Sequence, residues 1–253
     1  MPGSVCGTWP AFWMFGPDWP DNGEIDIIEG VNTNTVNAMT LHTSDGCTIG
    51  DGSFTGVLET ENCYIYAADQ SSNAGCSIED TRTTSYGDGF NSNGGGVFAT
   101  QITSDYIAIW FWPAASVPSD VSNGSPSPTG WGTPVALFEG DCDISEHFSD
   151  LNIVFDITFC GDWAGAVWSS QCSSYGSSCE TYVQNYPGAF APSYWLINSL
   201  DVYEDSSDGT EQSILKSAVF ANTTAHVNTS MPPLGTSVPL AVGGGSKGKQ
   251  TKI

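Results

Sequence analysis

The segment NGEIDIIEG carries three carboxylates within six residues, on Glu24, Asp26 and Glu29. The isoleucines between them are strong strand formers, so a β-strand is predicted here. Carboxylates in an apolar strand lose hydration energy unless they face a polar cleft. Alternation along the strand puts Glu24 and Asp26 on one face but turns Glu29, five positions after Glu24, to the other.

A β-bulge at Ile27 and Ile28 would return Glu29 to the face of the other two acids, because two residues of a bulge oppose one partner residue. The glutamate backbones would then be roughly 13 Å apart. Side chains that lean together would bring the carboxyl groups to about 5–6 Å, the separation of a retaining glycosidase pair. One glutamate would be the nucleophile and the other the acid/base, in an order that the residues leave open. The alternative is a solvated acidic face.

Nine tryptophans accompany this segment, several of them beside glycine or proline. Sugar rings have apolar C–H faces that stack on indoles, so tryptophans in loops suit a saccharide groove. A single tryptophan is more often a core residue, and a hydrogen-bonded core position is the alternative for His42, which ends a predicted strand. The residues predicted to bind substrate are Trp13, Trp19, His42, Trp110, Trp131 and Trp163.

The elements that would position these residues are mainly β-strands. Helical periodicity is nearly absent, while 29 glycines and 14 prolines help to separate short apolar segments. The predicted strands are Glu24–Glu29, Val36–His42, Tyr64–Ala67, Gly96–Thr103, Tyr106–Trp112, Asn152–Phe159 and Tyr194–Tyr203. Many strands with turn-rich connectors indicate an all-β fold, an antiparallel sandwich or barrel.

A short helix is predicted at Asp143, where DISEHF has the acid-x-x-Glu pattern of a capped helix start. A metal site formed by Asp143, Glu146 and His147 is disfavoured because further ligands at suitable spacing are missing. No metal ion or other cofactor is therefore expected.

The charge balance limits the partners of the chain. It has 28 acidic and 5 basic residues and a net charge of -23. Nucleic acids and anionic membrane surfaces require clustered Lys and Arg, so both are disfavoured, whereas a neutral glycan is compatible. No run of about 18 apolar residues is present to span a membrane. We expect a monomer.

Eight cysteines without a CxxC pair favour disulfides over a metal site, and disulfides imply an oxidising compartment. Eight cysteines allow about 105 complete pairings, among which the sequence does not choose. Asn123, Asn222 and Asn228 lie in glycosylation sequons, in weak agreement with secretion. The N-terminus nevertheless lacks a signal peptide pattern, so either the protein is not secreted or the chain begins inside a longer one.

Several segments closely resemble glycoside hydrolase family 16, in particular the laminarinase-type fungal endo-β-1,3(4)-glucanases. They are GTWPAFWMFGPDWPDNGEIDIIEGVN, MTLHTSDGCTIG, GFNSNGGGVFATQITSDYIAIWFWP, FDITFCGDWAGAVW and YWLINSLDVY. The resemblance runs from the first residues to about Tyr203. It implies a concanavalin-like β-jelly-roll sandwich with an open substrate cleft, and an endo-acting retaining hydrolase of β-glucans.

The family signature in its bulged form implies roles for the three acids. Glu24 corresponds to the nucleophile, Glu29 to the acid/base and Asp26 to the assisting acid. His42 falls where laminarinase-type members carry a cleft histidine, and Trp19 and Trp163 fall in segments whose aromatic residues line the cleft.

The resemblance also gives expectations about the extent of the domain and the location of the protein. Family members carry strands and a secretion signal upstream, so 1–205 is predicted to be a catalytic domain that lacks its N-terminal strands. Residues 206–253, rich in Ser, Thr and Gly, are predicted to be a linker or disordered tail. The expected location is extracellular or the cell wall. Two alternatives remain, a non-catalytic glycan-binding or cell-wall protein and a glucan transglycosylase.

Overall fold

The computed structural model describes residues 1–204, so the predicted tail at 206–253 lies outside the described residues. The strands are β1 Thr8–Phe15, β2 Glu24–Glu29, β3 Ala38–His42, β4 Thr48–Ile49, β5 Val57–Thr60, β6 Cys76–Glu79, β7 Gly96–Ile102, β8 Ile107–Pro113, β9 Ala136–Phe138, β10 Gly140–Asp141 and β11 Asn152–Phe159. The α-helices are short: α1 Gly87–Ser92, α2 Ser119–Ser122, α3 Ile144–His147, α4 Gly161–Ala164, α5 Trp168–Gln171 and α6 Cys179–Asn185.

The strands form an antiparallel sandwich. One sheet has six strands in the order β11-β1-β2-β3-β6-β5, a second has the order β7-β8-β9, and β4 pairs with β10. Alternate side chains of the two larger sheets meet in one core, such as Ile25 of β2 with Ile109 and Phe111 of β8. The predicted all-β antiparallel sandwich is confirmed.

Most strand predictions are confirmed, two of them, β2 and β11, with the same bounds. The predictions at Tyr64–Ala67 and Tyr194–Tyr203 are wrong, since the first segment has a single bridge at Tyr64 followed by a turn and the second has no strand. β1 is not among the predicted strands, because it contains Pro10 and its sequence therefore does not resemble a central strand. The pairing of β1 with β2 runs from Phe15 to Ala11, so Pro10 lies outside it.

The short helix predicted at Asp143 is confirmed as α3. The Asp143 carboxylate accepts a hydrogen bond from the backbone N–H of Glu146, as a helix cap does. Among the described residues, no helix is long and apolar enough to cross a membrane. Of the three sequons, the one at Asn123 is exposed beside α2, and those at Asn222 and Asn228 lie outside the described residues.

All eight cysteines form disulfides, which confirms the expected cross-linking. The pairs are Cys6–Cys172, Cys47–Cys142, Cys63–Cys76 and Cys160–Cys179. The first joins the start of the chain to the segment after α5, and the fourth joins that helical region to the end of β11. The helical region that follows β11 is therefore held covalently to the six-stranded sheet.

Candidate active site

A β-bulge in β2 sets the direction of the catalytic candidates. On β3, Asp26 pairs with Thr40 and Glu29 with Ala38, so Ile27 and Ile28 together oppose one residue. The register with β1 shifts at the same point. Glu29 therefore lies on the same face as Glu24 and Asp26, while the three isoleucines enter the core. The bulge predicted from the spacing is present.

The side chain of Asn37 replaces the backbone hydrogen bonds that the bulge interrupts. Its Oδ1 accepts from the N–H of Glu29 at 2.9 Å, and its Nδ2 donates to the carbonyl oxygen of Ile27 at 2.8 Å. Asn37 has no exposed surface, and an unpaired buried peptide group is costly. Asn37 thus stabilises the backbone that carries Glu29.

The three acids, here called the carboxylate row (Glu24, Asp26 and Glu29), differ in access to solvent. Glu24 and Glu29 each keep 5% of their surface exposed, whereas Asp26 has none. A substrate can therefore reach the two glutamates more readily than the aspartate between them. This difference fits a pair of reacting glutamates with an assisting aspartate.

Each glutamate accepts a hydrogen bond from an indole. Trp19 Nε1 donates to Glu24 Oε2 at 2.6 Å, and Trp9 Nε1 donates to Glu29 Oε1 at 2.8 Å. An indole nitrogen can only donate, so both contacts favour a negative charge on the carboxylate. Trp9 was not among the predicted site residues, although its alternation with Trp13 along a strand would have placed it on the same face.

His42 lies at the end of β3, opposite Glu24 in the register. Its Nε2 lies 3.4 Å from Asp26 Oδ2. Burial acts to lower the pKa of His42, but the hydrogen bond with Asp26 and the charges of the carboxylate row outweigh it and raise that pKa above its usual value. A protonated His42 would offset part of the negative charge of the row.

Glu24, Asp26 and His42 are also the side chains that could hold a metal ion. Each offers one ligand atom, and these atoms lie within 4.8 Å of one another. A cation held there and a nucleophilic Glu24 would compete for the same carboxylate oxygen.

Two further predicted residues lie near the row. Trp13 pairs with Asp26 across β1 and β2, is 1% exposed and stacks on Phe15 with ring centroids 5.0 Å apart. Trp163 packs edge-on against Trp9 at 5.8 Å. The structure therefore brings Trp13, Trp19, His42 and Trp163 to the region of the carboxylate row.

Trp110 and Trp131 lie elsewhere. On β8, Ile109 and Phe111 enter the core between the sheets, so Trp110 points to the opposite, outer face of the three-stranded sheet. There it packs against Trp131 with centroids 5.1 Å apart, and both are less than 10% exposed. The sequence could not distinguish the two faces of this strand because aromatic residues occupy both.

Similarity to known proteins identifies the family of the chain. Residues 1–203 match the model of the XgeA-like catalytic domain of glycoside hydrolase family 16. The chain belongs to glycoside hydrolase family 16. A probable endo-1,3(4)-beta-glucanase of Aspergillus niger is 48% identical over 210 residues, which cover 81% of this chain and 28% of that protein.

Solved family 16 structures share the fold. Laminarinase 16A of Phanerochaete chrysosporium, with 6-O-glucosyl-laminaritriose in its donor and acceptor sites, is 43% identical with a TM-score of 0.72. An elongating family 16 β-1,3-glucosyltransferase is 44% identical with a TM-score of 0.71. Each alignment covers 77% of this chain and 66% of the other. The predicted β-jelly-roll sandwich is confirmed.

This family 16 chain is short beside its curated relatives. It spans about half or less of the length of those it matches, 28% of the Aspergillus niger protein and 48% of an endo-1,3(4)-beta-glucanase of Arthroderma benhamiae.

Proposed function

We propose that this chain is the catalytic part of an endo-acting retaining glycoside hydrolase that cleaves β-1,3- or mixed β-1,3(4)-glucans. The observation that carries the proposal is the bulged strand, which presents Glu24 and Glu29 on one face with an indole donor on each. Membership of family 16 and the names of its glucanase relatives support the same chemistry.

The reaction would proceed in two displacements. In the first, Glu24 attacks the anomeric carbon and forms a glycosyl ester, while Glu29 gives its proton to the departing oxygen. In the second, Glu29 takes a proton from water, the water oxygen attacks the anomeric carbon, and Glu24 leaves as a carboxylate. The N–H of Trp19 stabilises the ionised Glu24 that attacks, and the N–H of Trp9 stabilises the ionised Glu29 that takes a proton in the second displacement.

Asp26 would assist without touching the sugar. It has no exposed surface, it lies between the two glutamates on β2, and its other neighbour is His42 at 3.4 Å. A carboxylate in this position can orient the nucleophile and exchange a proton within the row.

The glucan would bind over the face that carries the row. Trp13, Trp19, His42 and Trp163 surround the glutamates, and the partly exposed ring of Trp19 offers a surface to a sugar. We leave Trp110 and Trp131 out of this surface because they pack on the outer face of the other sheet. We also propose an extracellular or cell-wall location, which the four disulfides support.

The first experiment measures reducing ends released from laminarin by the wild type and by Glu24→Gln. We expect loss of at least about a thousandfold in kcat, because the amide cannot form the glycosyl ester. Full activity of the variant would contradict the assignment. Inactivity of both proteins, with retained binding of laminarin, would favour the non-catalytic glycan-binding alternative.

The second experiment separates the roles of the glutamates. Glu29→Gln should cleave an aryl β-glucoside oligomer with an activated leaving group in the first step, because that leaving group needs no proton. It should fail on laminarin. Glu24→Gln should fail on both substrates, and the reverse pattern would exchange the two roles.

Transfer to a sugar is the second candidate, since the glycosyl ester can be attacked by a glucan hydroxyl instead of water. The observation that favours it is the 44% identity to a solved family 16 glucosyltransferase. Mass analysis of products from laminarin and from cereal mixed-linkage glucan distinguishes the two. Products longer than the substrate indicate transfer, and the fragment pattern identifies the linkage that is cut.

A further inference from the structure

The contact between Trp9 and Glu29 determines which oxygen of the acid/base carries its proton. The indole N–H of Trp9 donates to Glu29 Oε1 at 2.8 Å, and both side chains are buried. Because the indole nitrogen has no acceptor capacity, Oε1 has to accept in either protonation state of Glu29. A proton on the carboxyl group is therefore best placed on Oε2.

The loop after β11 fixes the Trp9 ring. Gly161 has a φ of +65°, and a Cβ atom built there would lie 3.0 Å from Trp9 Cε3 and 3.3 Å from Thr158 Cγ2. The backbone thus lies directly against the indole where a larger residue would be crowded. The edge of Trp163 closes another side of the ring at 5.8 Å.

The loop itself is tied down on two sides. The disulfide Cys160–Cys179 joins its start to α6. The side chain of Asn32, just after β2, donates to the carbonyl oxygen of Ala164 at 2.9 Å. The segment that packs on the indole is therefore anchored twice, by a disulfide to α6 and by a hydrogen bond to the residues after β2, so the indole has a fixed position beside Glu29.

We propose that Trp9 is the positioning residue of the acid/base. It directs Oε2 of Glu29 toward the departing oxygen in the first displacement, and it favours the carboxylate that must accept a proton in the second. This inference rests on the proposed function, because Trp9 can position an acid/base only if Glu29 has that role. The hydrogen bond between Trp9 and Glu29 can be tested without a substrate.

Other ionisable groups surround Glu29 and act in the wild type and in variants alike. Its own strand contributes the two other acids, β3 contributes His42, and Tyr86 lies close enough that burial and the charge of Glu29 raise the pKa of its hydroxyl. On one side of Glu29, Ala11 of β1 pairs with Glu29 and with Asp156 of β11. On the other side, Ala38 of β3 pairs with Glu29 and with Glu79 of β6. Asp156 and Glu79 therefore lie on the same face as Glu29, each two strands away. Since these groups stay in place, a change at Trp9 alone isolates the effect of its N–H.

The test uses Trp9→Phe, which keeps an aromatic ring against Gly161 and removes the N–H. Loss of a donor disfavours the ionised form, so the midpoint at which Glu29 titrates should rise by about one pH unit. Carboxyl ¹³C NMR titration measures that midpoint, with the Glu29 signal assigned from its absence in Glu29→Gln. The basic limb of the kcat/KM profile on laminarin should move up by the same amount, and kcat should fall about tenfold.

The matched control is Trp168→Phe. Trp168 is also buried, but its N–H donates to the carbonyl oxygen of Gly176 at 2.9 Å in the helical region. This variant also loses one indole hydrogen bond, so it should lower the melting temperature comparably. It should leave the Glu29 midpoint and the pH profile unchanged, and a shift like that of Trp9→Phe would contradict the proposal.

A second measurement is made on the wild-type protein, and variants serve only to assign its signals. In the ¹⁵N spectrum of the wild type, the indole N–H of Trp9 should move with the same midpoint as the Glu29 carboxyl signal. An indole signal that does not follow Glu29, or an unchanged midpoint in folded Trp9→Phe, overturns the inference. Absence of glucanase activity in the wild type would instead overturn the proposed function, because neither NMR measurement depends on activity.

Discussion

Asp26 and His42 form a buried contact that couples the carboxylate row to pH. Their atoms are 3.4 Å apart, and His42 is 7% exposed. The raised pKa of His42 means that the folded state binds a proton more tightly than the unfolded chain does. This contribution to stability is fully present below the unfolded-state pKa and is lost as pH rises through the folded-state pKa.

Replacement of His42 tests that linkage. His42→Gln should destabilise the protein more at about pH 5 than at about pH 9, because the favourable charge is present only at the lower pH. Urea unfolding of the wild type and the variant at both pH values gives the two differences in free energy. His147, which is also buried and whose Nδ1 lies 3.5 Å from the hydroxyl oxygen of Ser44, provides the control His147→Gln. An equal loss at both pH values in His42→Gln would contradict the linkage.

Residue types and spacing predicted the carboxylate row but not all of its supports. The odd separation of Glu29 from the other acids required a bulge, and that could be deduced from alternation alone. Alternation with Trp13 would have placed Trp9 on this face, but its contact with Glu29, like that of Asn37 with the bulge, depends on how β1 and the loop before β3 pack. The roles proposed for Glu24 and Glu29 rest on the family resemblance and not on the spacing.

At the scale of elements, the bulge depends on one side chain. Asn37→Ala leaves the N–H of Glu29 and the carbonyl oxygen of Ile27 without their partner, so it should cost about 2–5 kcal/mol of unfolding free energy. It should also lower kcat on laminarin, because Glu29 loses its backbone anchor. Urea unfolding and initial rates measure the two effects.

Asn34→Ala is the control for Asn37→Ala. The side chain of Asn34 accepts a hydrogen bond at 3.2 Å from the N–H of Val31, which lies after the end of β2. This variant should lose about 1 kcal/mol and keep its kcat. A kcat for Asn37→Ala equal to that of Asn34→Ala would show that the bulge does not depend on Asn37 for its catalytic geometry.

Strand prediction failed where pairing, and not propensity, decides the structure. The segment Tyr194–Tyr203 has the apolar content of a strand, yet Trp195 fixes it through a hydrogen bond to the carbonyl oxygen of Asp156 at 2.8 Å and an edge contact with Phe155. Periodicity indicates which side chains are buried. It does not indicate whether a neighbouring strand is available for pairing.

At the scale of the whole molecule, the tryptophans fall into two groups. Trp19 lies beside the carboxylate row of the six-stranded sheet, whereas Trp110 lies on the outer face of the three-stranded sheet. Trp19→Phe removes the donor to Glu24 and should lower kcat about tenfold. Trp110→Phe removes a hydrogen bond to the carbonyl oxygen of Gly132 on the outer face, so it should lower the melting temperature without changing KM for laminarin. Steady-state kinetics and thermal unfolding test both variants, and a raised KM in Trp110→Phe would place glucan on the outer face as well.

The disulfides should differ in their value to stability according to the length of chain they enclose. Cys6–Cys172 closes a separation of 166 residues and Cys63–Cys76 one of 13. Chain-entropy arguments give about 5 kcal/mol for the first and about 3 kcal/mol for the second. Paired Cys→Ser variants in urea unfolding measure these losses, and the opposite order would contradict an entropic origin.

The same pairings have a topological consequence. Cys6–Cys172 encloses Cys47–Cys142, which in turn encloses Cys63–Cys76, so the chain is arranged as nested covalent rings. A single proteolytic cut in any loop between residues 6 and 172 opens a ring but releases no fragment. β2, which carries the two glutamates, would stay covalently linked to the helical region after β11, which packs against the Trp9 ring. A nicked molecule would therefore migrate as one chain until its disulfides are reduced.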